Sequence, residues 1–134
     1  MDIVRSEMIC IQSSSDVVLV RQAVRQWAVE LRFSLVDQTK IVTAASELAR
    51  NTLDYGGGGM VKLEALQEGM RRGLRLTFED KGPGIPDLEL ALKDGFTTGR
   101  GLGMGLSGTK RLVNDFKIVS QVGEGTCVTI TKWK

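Results

Sequence analysis

Leu74-Arg-Leu-Thr-Phe-Glu-Asp80-Lys-Gly-Pro-Gly84 changes character midway. Its first half alternates apolar and polar residues with the period of a half-buried strand, and its second half is turn chemistry. The alternation puts Asp80 on the same face as Leu74, Leu76 and Phe78, the face meant for the core. A carboxylate there costs several kcal/mol unless hydrogen-bonded. Two readings are open: an Asp that caps the Lys81 to Gly84 turn, or an acceptor on a pocket floor, suited to the exocyclic amine of adenine. In the second, Gly82 and Gly84 keep the backbone low enough for a flat ring to lie over it.

Upstream, Val61, Leu63 and Ala65 alternate with Lys62 and Glu64, so a second strand precedes the first in an antiparallel pair. Before it, Ile41, Ala45, Leu48 and Thr52 mark one side of a helix that begins near Leu35 or Asp37, runs to about Asp54 and stops at Gly56-Gly-Gly-Gly59. Glu47 and Asn51 are four apart and share a face. The pair borders the apolar stripe instead of lying opposite it, which places it at a cleft edge. Asn51 offers a neutral oxygen to Mg²⁺, and Glu47 is able to take a proton from a hydroxyl or water. An ordinary solvated helix face is the plainer alternative.

At the start, Glu7 to Gln12 reads as a short strand. Ser13-Ser-Ser-Asp16 caps a helix whose stripe is Val17, Val20, Val24, Trp27, Ala28 and Leu31. Arg21, Arg25 and Arg32 lie on its exposed side, as a docking face or as solvated charge.

Lys81 to Gly103 holds both prolines and many glycines, so it is a long irregular loop, and such loops are uncommon unless functional. Gly99, Gly101, Gly103 and Gly105 alternate ahead of helical character from Met104 to about Asp115. Amides at such a helix start attract phosphate. A flexible surface loop is the alternative. Gly103-Met-Gly105-Leu-Ser-Gly108 also fits a dinucleotide fingerprint, but no strand precedes it. Phe116 to Val122 and Thr126 to Trp133 read as a closing hairpin. Thr126 shares a face with Val128 and Ile130, so its hydroxyl either serves the turn or reaches the same base as Asp80.

The 134 residues are expected to form one domain, residues 1–134, with 42% apolar and 25% charged residues, ordinary for a globular protein. A net charge of +2 gives no case for nucleic acid. No stretch approaches the ~20 apolar residues that span a bilayer, so a cytoplasmic location without membrane contact is expected. Cys10 and Cys127 have no metal-type spacing and are expected to be buried thiols. The chain has no histidine, which removes Ser-His and Cys-His catalysis.

Together, Ser46-Glu-Leu-Ala-Arg-Asn51, Asp80-Lys-Gly-Pro-Gly84, Asp94-Gly-Phe-Thr-Thr-Gly-Arg-Gly-Leu-Gly-Met-Gly-Leu106 and Gly123-Glu-Gly-Thr126 resemble the Bergerat-type ATP fold (the GHKL superfamily) of gyrase, Hsp90, histidine kinases and MutL. Within it the chain is most similar to the small bacterial serine kinases that control sigma factors by partner switching, the stressosome switch kinases above all. The resemblance implies an α/β two-layer sandwich, with helices on one face of a mixed, mostly antiparallel sheet. It implies MgATP as cofactor, Glu47 as catalytic base, Asn51 as Mg²⁺ ligand, and Asp80 and Thr126 as adenine contacts over Gly82 and Gly84. Gly101, Gly103 and Gly105 correspond to the phosphate-binding lid hinge, with Arg100 near the terminal phosphate. The implied substrate is a serine on a STAS-domain antagonist, and the implied second partner a PP2C-type phosphatase. The alternative is an anti-sigma factor that sequesters a sigma subunit.

Overall fold

In a computed structural model the described residues are 1–85, 92 and 105–134. The strands are β1 (Asp2–Ile11), β2 (Gly59–Glu68), β3 (Arg71–Asp80), β4 (Asp115–Gln121) and β5 (Gly125–Trp133). The helices are α1 (Ser14–Glu30), α2 (Leu35–Asp54) and α3 (Gly105–Arg111). The strands form one sheet in the order β1-β2-β3-β5-β4. The family resemblance implied a mixed, mostly antiparallel sheet, and among the described residues all four pairings are antiparallel.

Both long helices begin on a serine. The Ser13 hydroxyl accepts from Asp16 N at 3.4 Å, and the Asp16 carboxylate accepts from Gln12 N at 2.8 Å. The Ser13 hydroxyl thus caps an amide of the first turn, and Asp16 ties the helix start back to the residue that follows β1. Ser34 does half the same for α2, accepting from Asp37 N at 3.1 Å. The α1 stripe buries Val17, Val20, Val24, Trp27 and Ala28, and α2 buries Ile41, Val42, Ala44, Ala45, Leu48, Ala49 and Thr52. Against them lie Val61, Leu63, Leu74, Leu76, Phe78, Val128 and Ile130 from the sheet. Each large side chain buried in this layer contributes about 1.5–3 kcal/mol.

Three expectations change. β1 starts at Asp2 instead of Glu7, because pairing with β2 continues past a bulge between Ile3 and Arg5. Asp2 to Met8 are all exposed, so no buried alternation marks that half. α3 ends at Arg111, short of Asp115, where Asn114 is drawn into the sheet. Its N–H donates to Thr131 O at 3.0 Å and its side-chain oxygen accepts from Trp133 N at 2.8 Å. Cys10 is exposed and Cys127 half-buried, since register sets both on the face away from the helices, opposite Met60 and Glu79.

Among the described residues that reverse face carries one buried charge. Glu64, 4% exposed, accepts from Arg75 Nε at 3.0 Å and lies 3.7 Å from Lys62 Nζ. The Arg75 hydrogen bond outweighs burial and holds the Glu64 carboxyl below its usual value. A carboxyl whose pKa is lowered on folding contributes stability that is fully present above its unfolded value and is lost as pH falls through the folded one. Glu64→Gln is therefore expected to lower stability at neutral pH by about 1–3 kcal/mol. The deficit against wild type should shrink as pH drops below the carboxylate range. Urea midpoints across pH check this, and a constant deficit contradicts it.

Candidate nucleotide site at the end of strand β3

The sheet register assembles one row of residues at the end of β3. Asp80 pairs with Gly59 of β2 and Thr126 of β5, and Thr126 pairs with Ser120 of β4. Directly opposed residues share a face, so all four lie on the helix side, one step beyond Phe78, which is 2% exposed. Asp80 is half-buried. Its Oδ1 accepts from Gly82 N at 2.9 Å, while Oδ2 takes no hydrogen bond among the described residues. The carboxylate thus closes the turn, as the first reading of Asp80 has it, with Oδ2 left over from that contact.

Glycines crowd this carboxylate. A side chain on Gly56 would run into Asp80 Cγ and Oδ2, and a Cβ on Gly82 would lie 2.7 Å from Gly56 Cα. Gly125, at φ +119°, brings its Cα against the Asp80 carbonyl, where a Cβ has no room. Gly84, at φ +78°, abuts the Gln121 backbone. The space spared at Gly82 and Gly84 is therefore filled by backbone from neighbouring segments, and the glycines serve close approach of chain to chain.

The loop after β3 is tied to the β4–β5 hairpin twice. Gly123 N donates to Pro83 O at 2.8 Å, and Ile85 N donates to Ser120 Oγ at 2.8 Å. Ser120 Oγ also lies 2.8 Å from Thr126 Oγ1 and 3.2 Å from Gly125 O.

Glu47 and Asn51 stand one turn apart on α2, both half-buried, and neither side chain hydrogen-bonds to a described residue. The Asn51 carbonyl accepts from Tyr55 N at 2.9 Å and Gly56 N at 3.2 Å, so the helix ends directly in the glycine that packs on Asp80. At a rise of 1.5 Å per residue, Glu47 lies about 6 Å further up the helix than Asn51. The contacts thus lead from Asp80 through Gly56 to Asn51, and on along α2 to Glu47. α3 packs beside α2 and opens on Gly105, buried, at φ +71°. Arg100, Gly101 and Gly103 lie outside the described residues.

Sequence reasoning missed Ser120 and Gly56. Ser120 had a signal, since alternation with Phe116 and Ile118 puts it on the core face. Gly56 read only as a helix stop. No cluster of three or more His, Cys, Asp or Glu able to hold a metal occurs among the described residues, and no described helix is long and apolar enough to cross a membrane. Burial pushes the Cys127 thiol pKa up, which disfavours the nucleophilic thiolate.

The Gly56 contact predicts a coupling. Gly56→Ala should cost about 1–3 kcal/mol by overpacking, and much of that should vanish in an Asp80→Gly background, where the obstructing side chain is gone. Additive losses in a double-mutant cycle would show that the two residues do not touch.

The family model for the histidine kinase-, DNA gyrase B- and HSP90-like ATPases matches residues 36–134. Among curated proteins, the serine/threonine-protein kinase RsbT of Bacillus subtilis (strain 168) is 46% identical, the match covering 92% of each chain. An anti-sigma F factor of Anoxybacillus flavithermus is 32% identical over 84% of this chain and 80% of that protein. A crystal structure of RsbU and RsbW domains from Mycobacterium tuberculosis superposes with TM-score 0.67 at 22% identity, over 98% of this chain and 33% of that one. That last likeness speaks to fold alone, and it agrees with an antiparallel sheet backed by helices. The residues from Asp80 to Glu47 thus sit in a chain that belongs to the histidine kinase-, DNA gyrase B- and HSP90-like ATPase family, whose domains use ATP.

Proposed function

We propose that the chain is a protein serine/threonine kinase that moves the terminal phosphoryl group of ATP to a serine of a STAS-domain antagonist protein in a partner-switching pathway. The observation that carries this reading is its 46% identity, over 92% of its length, to a serine/threonine-protein kinase. The half-buried pair Glu47 and Asn51, without described partners, supports it chemically.

In this reading adenine lies over the Asp80 row, its exocyclic amine donating to the second carboxylate oxygen, with Thr126 beside it and the turn through Gly82 and Gly84 held close by its backbone packing. The phosphates run along α2 toward Glu47 and toward Gly105 at the start of α3, where Gly101, Gly103 and Arg100 are also assigned. Asn51 fits a Mg²⁺ site, because a carboxamide oxygen is a hard neutral donor and Mg²⁺ beside nucleotide phosphates takes few protein ligands. When bound, the ion supplies charge neutralisation on the phosphate oxygens. Glu47 accepts the proton of the incoming serine hydroxyl as its oxygen bonds to the γ-phosphorus. The bond from that phosphorus to the β,γ-bridging oxygen breaks, and ADP leaves. The setting is cytoplasmic, and a PP2C-type phosphatase is the second partner.

A second reading has one specific support, the 32% identity to an anti-sigma F factor. There the chain would hold a sigma subunit, with phosphorylation as the release. Pull-down against a STAS protein, a phosphatase and a sigma subunit separates the two. Tight capture of sigma without transfer to any STAS protein would favour the second.

Glu47→Ala is expected to lower transfer by about 10²–10⁴-fold with MgATP affinity nearly unchanged, since its role is toward the serine. Asn51→Ala should lose Mg²⁺-dependent nucleotide binding together with transfer. Labelled ATP with candidate STAS proteins, beside binding titrations with and without EDTA, checks both. Near wild-type transfer by the Glu47 variant removes it as base.

A further inference from the structure

Ser120 lies two strands from Asp80 and carries no role in the chemistry above, yet its hydroxyl is saturated. A serine oxygen has one proton and two lone pairs. Ile85 N–H, at 2.8 Å, takes one lone pair. Gly125 O, at 3.2 Å, only accepts, so the Ser120 proton points there. The remaining contact, Thr126 Oγ1 at 2.8 Å, then has to be made with the proton of Thr126. The opposite assignment, with Ser120 donating to Thr126, faces two oxygen lone pairs across the 3.2 Å gap to Gly125 O.

The Thr126 proton is thereby turned away from the row's ligand side, and Thr126 Oγ1 keeps only lone pairs for whatever lies beside Asp80. Asp80 Oδ2 is an acceptor as well. Where both acceptors meet the group at the six position, an amine there has a hydrogen for each, whereas a carbonyl there sets lone pairs against both. We propose that Ser120 is a positioning residue for base selection, which locks the Thr126 hydroxyl as an acceptor and so makes the site choose a 6-amino purine over a 6-oxo purine. This rests on the reading of the Asp80 row as the base site.

The test compares affinities for ADP and inosine diphosphate by calorimetry in wild type, Ser120→Ala, Ser120→Thr and Thr126→Val. Wild type should prefer ADP. Ser120→Ala should lower that preference by about tenfold, the worth of one hydrogen bond, since the freed Thr126 hydroxyl turns its proton to the 6-oxo group. Ser120→Thr should restore the preference, and Ser120→Ala added to Thr126→Val should leave the ratio as in Thr126→Val alone. A merely structural loss weakens both nucleotides alike and leaves the ratio in place. Should Ser120→Ala fold poorly, Ser120→Cys keeps the volume with a weak donor and should behave as the alanine variant. If wild type prefers ADP and neither Ser120 substitution moves the ratio, or if the shift persists without Thr126, the inference is overturned. If wild type does not distinguish the two nucleotides, the base-site reading itself falls and takes this inference with it.

Discussion

The contact between the Gly56 backbone and the Asp80 carboxylate is the constraint on which the site depends. It joins the end of α2 to the end of β3 with no side chain between them, and so sets how far Asn51 and Glu47 stand from the carboxylate. Gly82 packs on Gly56 from one side and Gly125 on the Asp80 carbonyl from the other. A half-buried carboxylate needs its lone pairs met. Gly82 N meets one oxygen, and in the proposed reading a ligand amine meets the other.

The opposite end of the sheet is held by a different set of contacts. Lys132, facing the helices and almost buried, reaches Asp37 in the first turn of α2 at 3.5 Å. On the reverse face Trp133 covers Gly73, and the Arg71 guanidinium stacks 4.2 Å from its ring centroid. Lys134 N closes the chain end on Arg72 O at 2.8 Å. Both ends of α2 are therefore fixed to the sheet, one by an ion pair and one by glycine packing. A helix pinned at each end presents Glu47 and Asn51 from a rigid support, as precise positioning requires.

Much of this was legible in the sequence, because the relevant signals are periodic. Alternation in Leu74 to Phe78 carries on to Asp80 and gives its face. The Ile41, Ala45, Leu48, Thr52 stripe gives the side on which Glu47 and Asn51 sit. The exposed half of β1 was not legible, since an edge strand with no buried face lacks alternation. Nor was the early end of α3, which is imposed by Asn114 pairing across to β5, a contact distant in sequence. Gly56 was invisible as a site element because its function is the space it leaves for a residue 24 positions away. The lid reading of Arg100, Gly101 and Gly103 rests on family resemblance alone, as those positions lie outside the described residues.

In the proposed reading a nucleotide base sits over the Asp80 row, against the helix side of the sheet. The most direct measurement is an amide NMR titration of the labelled protein with ADP. Shifts should concentrate at Gly56, Gly82, Ile85, Gly125 and Thr126 and extend to Asn51 on α2, while Glu64, Arg71 and Trp133 on the reverse face stay still. Saturable shifts centred on the reverse face or on the exposed side of α1, with the Asp80 row unmoved, would contradict it.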